Sequence, residues 1–162
     1  MKPSKQQIIE TIIAGLQADL HTAERAAQTA YETATHEENI AENKYDTLGL
    51  EASYLAAGQA RRVEEIRLAL SLYQKLGPRV FDDEMGVQLG ALVELGDANG
   101  EHRWLFLGPD GAGLTLQCEG CTFTVITPRS PMGMSLIGKW AGDEVFIGSA
   151  THARRFELID IL

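Results

Sequence analysis

Ile9, Ile13, Leu16, Leu20, Ala23, Ala27, Ala30 and Ala34 recur at alternating steps of four and three. That spacing is a heptad seam along one helix face. The seam turns from Ile and Leu to Ala along its length, which predicts a closer approach of two helices toward residue 34. A second seam follows a polar gap: Tyr45, Leu48, Ala52, Leu55, Gln59, Val63, Ile66, Leu70, Tyr73 and Leu76 step by three or four throughout. Gly49 and Gly58 weaken this helix by up to ~1 kcal/mol each relative to Ala. Gly77-Pro78 is a strong stop. Two single-seam helices joined by a short polar stretch fold back on each other as an antiparallel hairpin. Arms of about 30 residues give a rod of roughly 45 Å. Narrow seams with polar flanks predict a projecting coiled-coil hairpin over residues 1–77, its tip near residues 35–46.

After Pro78 the pattern changes to short β-branched and aromatic runs punctuated by Gly, Pro and Asp. Strands are predicted near Val87–Leu95, Arg103–Leu107, Phe123–Thr127, Asp143–Ile147 and Phe156–Ile161. Gly96-Asp97-Ala98-Asn99-Gly100 and Gly108-Pro109-Asp110-Gly111 read as turns. Every Trp and Phe lies after Pro78, and every Tyr before it, so residues 78–162 form a compact β-rich domain. One short helix interrupts it. Ser130 suits the N-cap, Pro131 the first helical position and Gly138 the left-handed position past the end. Met132, Met134, Leu136 and Ile137 are expected to supply its apolar contacts. The predicted fold class is therefore α+β, an α-hairpin followed by a β-rich domain.

Composition narrows the function classes. The 162 residues are 44% apolar and 23% charged, as in a folded protein rather than a disordered one. The net charge of −9 argues against strong independent nucleic-acid binding, which needs clustered Lys and Arg. No apolar run approaches the roughly 18 residues of a membrane span, and Met1 to Glu10 holds no signal-peptide core. Two cysteines make no disulfide framework, so a cytoplasmic protein is expected.

The segment Ser130-Pro131-Met132-Gly133-Met134-Ser135-Leu136-Ile137-Gly138-Lys139-Trp140-Ala141-Gly142-Asp143-Glu144-Val145 resembles the C-terminal signature of the GreA/GreB transcript cleavage factors. That signature is Ser-Pro, four or five variable residues, Leu-Ile/Leu-Gly-Lys, two variable residues and Gly-Asp-Glu-Val. The closing Phe156-Glu157-Leu158-Ile159-Asp160-Ile161 is similar to that family's last strand. With the hairpin, the resemblance covers nearly the whole chain. It implies an FKBP-like C-terminal domain that docks, through the segment holding Ser130, Pro131, Gly138 and Asp143, at the secondary channel of bacterial RNA polymerase. It implies that the hairpin enters this channel, and that acidic tip residues help hold a second magnesium ion in the polymerase site. That ion activates water to hydrolyse backtracked RNA. The chain then needs no cofactor or metal of its own and acts as a monomeric accessory factor.

From Glu32 to Asp46 there are five acids and one Lys. Clustered carboxylates suit a hard cation, and they place negative charge where a basic channel steers it. Acidic loops between helices are also ordinary solvated structure, and an acid near a helix start favours its dipole. The family's tip resembles Asp-Leu-x-Glu-Asn-x-Glu-Tyr. Here Asn39-Ile40-Ala41-Glu42-Asn43-Lys44-Tyr45 is the nearest counterpart, one residue shorter, with Asn39 where the Asp stands. Glu42 is the first ligand candidate, with Glu38 and Asp46 as partners and Asn39 and Asn43 as positioning residues. The missing Asp also fits a variant that occupies the channel without promoting cleavage.

Other motifs carry less. Cys118-Glu119-Gly120-Cys121 is a lone C-x-x-C, read as a two-residue hairpin turn with the cysteines opposed. Reduced structural thiols, a redox pair and a metal site all remain open for it. His21, His36, His102 and His152 form no nucleophilic pattern. Gly108 to Gly113 lacks the phosphate-binding form. Arg61 and Arg62, and Arg154 and Arg155, read as solvated pairs. Two readings from other classes stand beside the polymerase regulator: an FKBP-type prolyl isomerase around Trp140, and a coiled-coil adaptor that dimerises through its hairpin.

Overall fold

The computed structural model of the chain describes residues 2–36, 48–148 and 151–162. The chain divides into two compact units, Ala14–Ser71 and Met1–Ile13 with Leu72–Leu162. Two long helices, α1 (Lys5–Thr35) and α2 (Leu48–Leu76), run through both. Ser4 starts α1 with a reciprocal capping box: its hydroxyl accepts from the Gln7 amide at 3.1 Å, and the Gln7 side chain accepts from the Ser4 amide at 2.9 Å. Gly77, at φ 59°, closes α2 in the left-handed position before Pro78.

In the helical unit the helices run antiparallel. Arg67 on α2 pairs with Glu24 on α1 at 3.2 Å, while Ala30, further along α1, shares a groove with the earlier Ala52 of α2. Leu16, Ala23 and Ala30 are buried, seven residues apart, with Ala52, Val63, Ile66 and Leu70 buried on α2. Leu55 departs from the predicted seam: it is 57% exposed. Ala56, one helical turn beyond Ala52, is partly buried instead, and a small side chain suits the Ala-lined stretch. Leu55 lines an open groove of about 490 Å³ with Thr22, Ala26 and Thr29.

The second unit is built on a six-stranded mixed sheet ordered β3-β4-β2-β1-β6-β5. Its strands are β1 (Leu92–Asp97), β2 (His102–Leu107), β3 (Thr115–Cys118), β4 (Cys121–Ile126), β5 (Glu144–Ile147) and β6 (Arg154–Ile161). β2 and β4 pair in parallel, and every other neighbour is antiparallel. Two strand expectations are corrected. Val87 to Ala91 is not part of β1, because Gly86 and Gly90 take positive φ and Val87 bonds instead to Lys139, at 2.8 Å. β3 is the first arm of the hairpin expected at Cys118–Cys121, but it had no bounds in the predicted strands, because its four residues alternate polar and apolar too briefly to show a period.

One sheet face carries Val93, Leu95, Leu105, Leu107 and Leu158, packed with the short helix α3 (Pro131–Leu136) through Leu136. The other carries Leu92, Phe106, Phe123 and Val125, all buried, with the Tyr73 ring centroid 6.4 Å from that of Phe106. The first turns of α1 lie on this second face. Lys2 sits 5.4 Å over the Trp104 ring and pairs with Asp160, and Gln7 bonds Glu119 at 3.3 Å. The Lys2 ammonium holds the Asp160 carboxyl below its ordinary range.

Lys5 is partly buried with no carboxylate partner among the described residues, and burial pushes its ammonium down from 10.5 to about 8. Below pH 8 both folded and unfolded chains hold the charge, so folding bears the full desolvation cost. Between about 8 and 10.5 the unfolded chain binds more protons, and stability rises with pH. Lys5→Met is therefore expected to melt no lower than the parent at pH 7.5. The Lys5 share of any gain in melting temperature between pH 7.5 and 9.5 disappears in this variant.

Candidate functional site

The Ser130–Val145 segment forms one interlocked piece of backbone. The Ser130 hydroxyl accepts from the Gly133 amide at 3.0 Å and donates to the Thr127 carbonyl at 2.7 Å. Pro131 holds the first helical position. Gly138 takes φ 77°, and its amide donates to the Val87 carbonyl at 2.9 Å. The Asp143 carboxylate accepts from the Trp140 amide at 2.8 Å, and the Asp143 amide donates back to the Trp140 carbonyl at 3.0 Å. The Gly142 amide then donates to the Leu158 carbonyl at 2.7 Å, which ties the turn to β6. The Trp140 indole donates to the Asp83 carbonyl at 2.7 Å, clamping the loop before β1 to the loop after α3. Ser130, Gly138 and Asp143 thus shape the segment through internal bonds.

The outward surface differs from the expectation for α3. Met134 is 62% exposed and Ile137 also points out. A six-residue helix has room for one inward stripe, which Gly133 and Leu136 take, with Met132 packed beside them. Met134, Ile137, Trp140 and Phe146 are large apolar side chains left at the surface around this segment. The Ser135 hydroxyl donates to the Phe146 carbonyl at 3.3 Å, joining α3 to β5. Gly133 carried no special signal in the sequence, yet a Cβ there would meet the Thr127 carbonyl oxygen at 1.9 Å.

Ser130→Ala removes both hydroxyl bonds while leaving the backbone course intact. It is expected to lower stability by ~1 kcal/mol, read as a lower urea midpoint with unchanged slope.

Glu38, Asn39, Glu42, Asn43 and Asp46, the tip candidates, lie outside the described residues. Cys118 and Cys121 face each other across a two-residue turn whose Glu119 and Gly120 take φ 50° and 79°. Both are free thiols. Burial first, and then the neighbouring Cys118, push the Cys121 thiol up, away from the reactive thiolate. Among the described residues no group of three Cys, His, Asp or Glu side chains is placed to hold a metal ion. His102 contacts Glu94 at 2.7 Å rather than standing alone on the surface. Arg155 pairs with Glu144, and Arg154 lies 5.2 Å over the Phe156 ring. Among the described residues no helix is long and apolar enough to cross a membrane.

No protein-family model matches the chain. Over 103 residues it is 30% identical to transcription elongation factor GreA of Polaromonas naphthalenivorans (strain CJ2), covering 62% of this chain and 61% of that protein. Over that stretch the chain is similar to GreA. It matches that relative over about 61% of the relative's length. Similar solved structures include GreA factor homolog 1 of Thermus thermophilus, at 22% identity over 93% of this chain and 94% of that one, with TM-score 0.37. Gfh1 of Thermus aquaticus is 20% identical over 98% of this chain and 95% of that one, with TM-score 0.39. The GreA/GreB factor of Nitrosomonas europaea is 22% identical over 63% of this chain and 90% of that one, with TM-score 0.36. Among the described residues the Ser130–Val145 segment is the best-defined candidate surface.

Proposed function

We propose that this chain is a Gre-like regulator of transcription elongation, an accessory factor that acts on bacterial RNA polymerase. The observation that carries the reading is the Ser130–Val145 segment: residues that resemble the family's C-terminal signature build one interlocked unit with an apolar outer surface. Its exposed Met134, Ile137, Trp140 and Phe146 offer the desolvated contact area a protein partner needs, and the hydrogen-bonded frame beneath keeps that surface preorganised. Ser130, Pro131, Gly138 and Asp143 position this docking surface. The hairpin is the part that enters the polymerase's secondary channel.

For the tip, the proposal rests on sequence. The carboxylates of Glu42, Glu38 and Asp46 are the oxygen donors that a magnesium ion shared with the polymerase would take. Asn39 and Asn43 would orient them. A magnesium ion held there would activate water toward the backtracked RNA. Glu42→Ala is the direct test, assayed on polymerase stalled in a backtracked complex with end-labelled RNA. Cleavage slowed at least roughly tenfold, the lower range for disturbing a metal's ligand support, with polymerase binding retained, supports the role. Unchanged cleavage removes Glu42 from the mechanism. A second reading has its own observation: Asn39 stands where the family's tip has an Asp, so one anionic ligand is missing. In that reading the protein occupies the channel and competes there without promoting cleavage.

A further inference from the structure

The stretch after α2, which belongs to no helix or strand, has chemistry that the docking segment does not use. Pro78 has no N–H, and the backbone groups of Arg79, Val80 and Phe81 have no hydrogen-bond partner among the described residues. Val80 is 94% exposed. Two adjoining clefts, of about 350 and 200 Å³, share Lys5, Arg79, Val80 and Phe81 in their walls. The larger is completed by apolar Pro3, Ile161 and Leu162, the smaller by Met85 and Leu89. Lys5 and Arg79 have no ion-pair partner among the described residues. In the smaller cleft the Asp82 carboxylate accepts from the Glu84 amide at 2.9 Å, and no ion pair joins it to Lys5 or Arg79. In a chain of net charge −9, two cations outside any ion pair of the described residues, an apolar cleft and unpaired backbone groups lie side by side.

We propose that this strip captures an extended peptide of a partner protein, in which an acidic side chain stands two residues from a large apolar one. The free backbone of Arg79 to Phe81 pairs with the peptide as an added strand. Alternate side chains of an extended peptide point the same way, so its apolar and acidic residues reach the clefts together. The apolar side chain fills the cleft beside Phe81, and the carboxylate meets Lys5 and Arg79. The lowered Lys5 ammonium fits this arrangement: burial without a counter-ion is a cost that an incoming carboxylate relieves. The inference is independent of the polymerase reading.

The test uses the full chain, isotopically labelled, and a capped hexapeptide of sequence Thr-Phe-Thr-Glu-Thr-Leu. The expected result is amide shifts centred on Arg79, Val80 and Phe81, and binding at least tenfold tighter than for the same peptide with glutamine in place of glutamate. Lys5→Met and Arg79→Gln should each erase that preference while the chain stays folded. Arg79 is exposed, so Arg79→Gln keeps the test decisive if Lys5→Met disturbs the fold. Val80→Asp, at a solvent-exposed position, should abolish binding by repulsion. Equal affinity for the two peptides overturns the proposal, as do shifts centred elsewhere. Octanoate shifting the same amides when the peptide does not also overturns it, in favour of a small-carboxylate site.

Discussion

Gly133→Ala is expected to cost about 3 kcal/mol or more, the upper range for inserting one methyl group into a packed site. The added Cβ would lie 1.9 Å from the Thr127 carbonyl oxygen, 2.8 Å from its carbon and 3.1 Å from Pro128 Cα. All three are backbone atoms, so no side-chain rotation relieves the clash. The oxygen is also pinned, because it accepts from the Ser130 hydroxyl at 2.7 Å and from the Ser130 amide at 3.1 Å. Moving it away from the new methyl breaks the cap of α3, and moving α3 unseats Leu136 from the core. The measurement is the urea midpoint of the variant beside Met134→Ala, whose side chain is exposed one residue further on. Met134→Ala should stay within about 0.5 kcal/mol of the parent. A loss below about 1 kcal/mol for Gly133→Ala would mean that the close approach of α3 to residues 127–128 is wrong.

Gly108→Ala is the second large effect, at about 2–4 kcal/mol. Here a Cβ would sit 2.0 Å from the Tyr73 hydroxyl oxygen and 3.2 Å from Val125 Cγ1. Tyr73 is fully buried, and its hydroxyl donates to the Asp110 carbonyl at 2.6 Å. Burial pushes this phenol well above its ordinary range, so it stays a neutral donor. The alanine therefore displaces a packed ring and leaves a buried polar group without its bond, and each of these is costly. A double-mutant cycle separates the two. Tyr73→Phe removes the clashing oxygen together with the bond, at about 1 kcal/mol on its own. The double variant should then be more stable than the sum of the singles by at least about 1 kcal/mol. Additive losses would show that Tyr73 and Gly108 are not in contact.

These two glycines also show where sequence stops being readable. Ser130, Pro131 and Gly138 were legible because each acts locally: a cap, a fixed φ and a left-handed helix end are properties of the residue and its near neighbours. Gly133 and Gly108 are demanded by atoms that the fold brings to them, the Thr127 carbonyl and the Tyr73 ring. Gly108 reads only as part of a turn and Gly133 as a variable position, and neither reading marks the close approach. The same division holds in the helices. The heptad spacing of Leu16, Ala23 and Ala30 was visible, but which of Leu55 and Ala56 turns inward follows from the width available between two Ala-lined faces. β3 was legible only through the hairpin turn at its end, because four residues at a sheet edge cannot establish a period. In the site, the frame was readable and the surface was not. Met134 and Ile137 look like core residues by type, yet a helix of six residues buries a single stripe.

The proposed function is regulation of bacterial RNA polymerase. Mixing the purified protein with polymerase stalled in a backtracked complex, with magnesium and end-labelled RNA, tests it most directly by following co-migration and transcript length together. The account predicts a stable complex with the stalled polymerase; shortening of the RNA would assign the tip a cleavage role, and an unchanged RNA would assign a channel-occupying one. Absence of any complex at micromolar protein would contradict the account and return the isomerase and adaptor readings to the front.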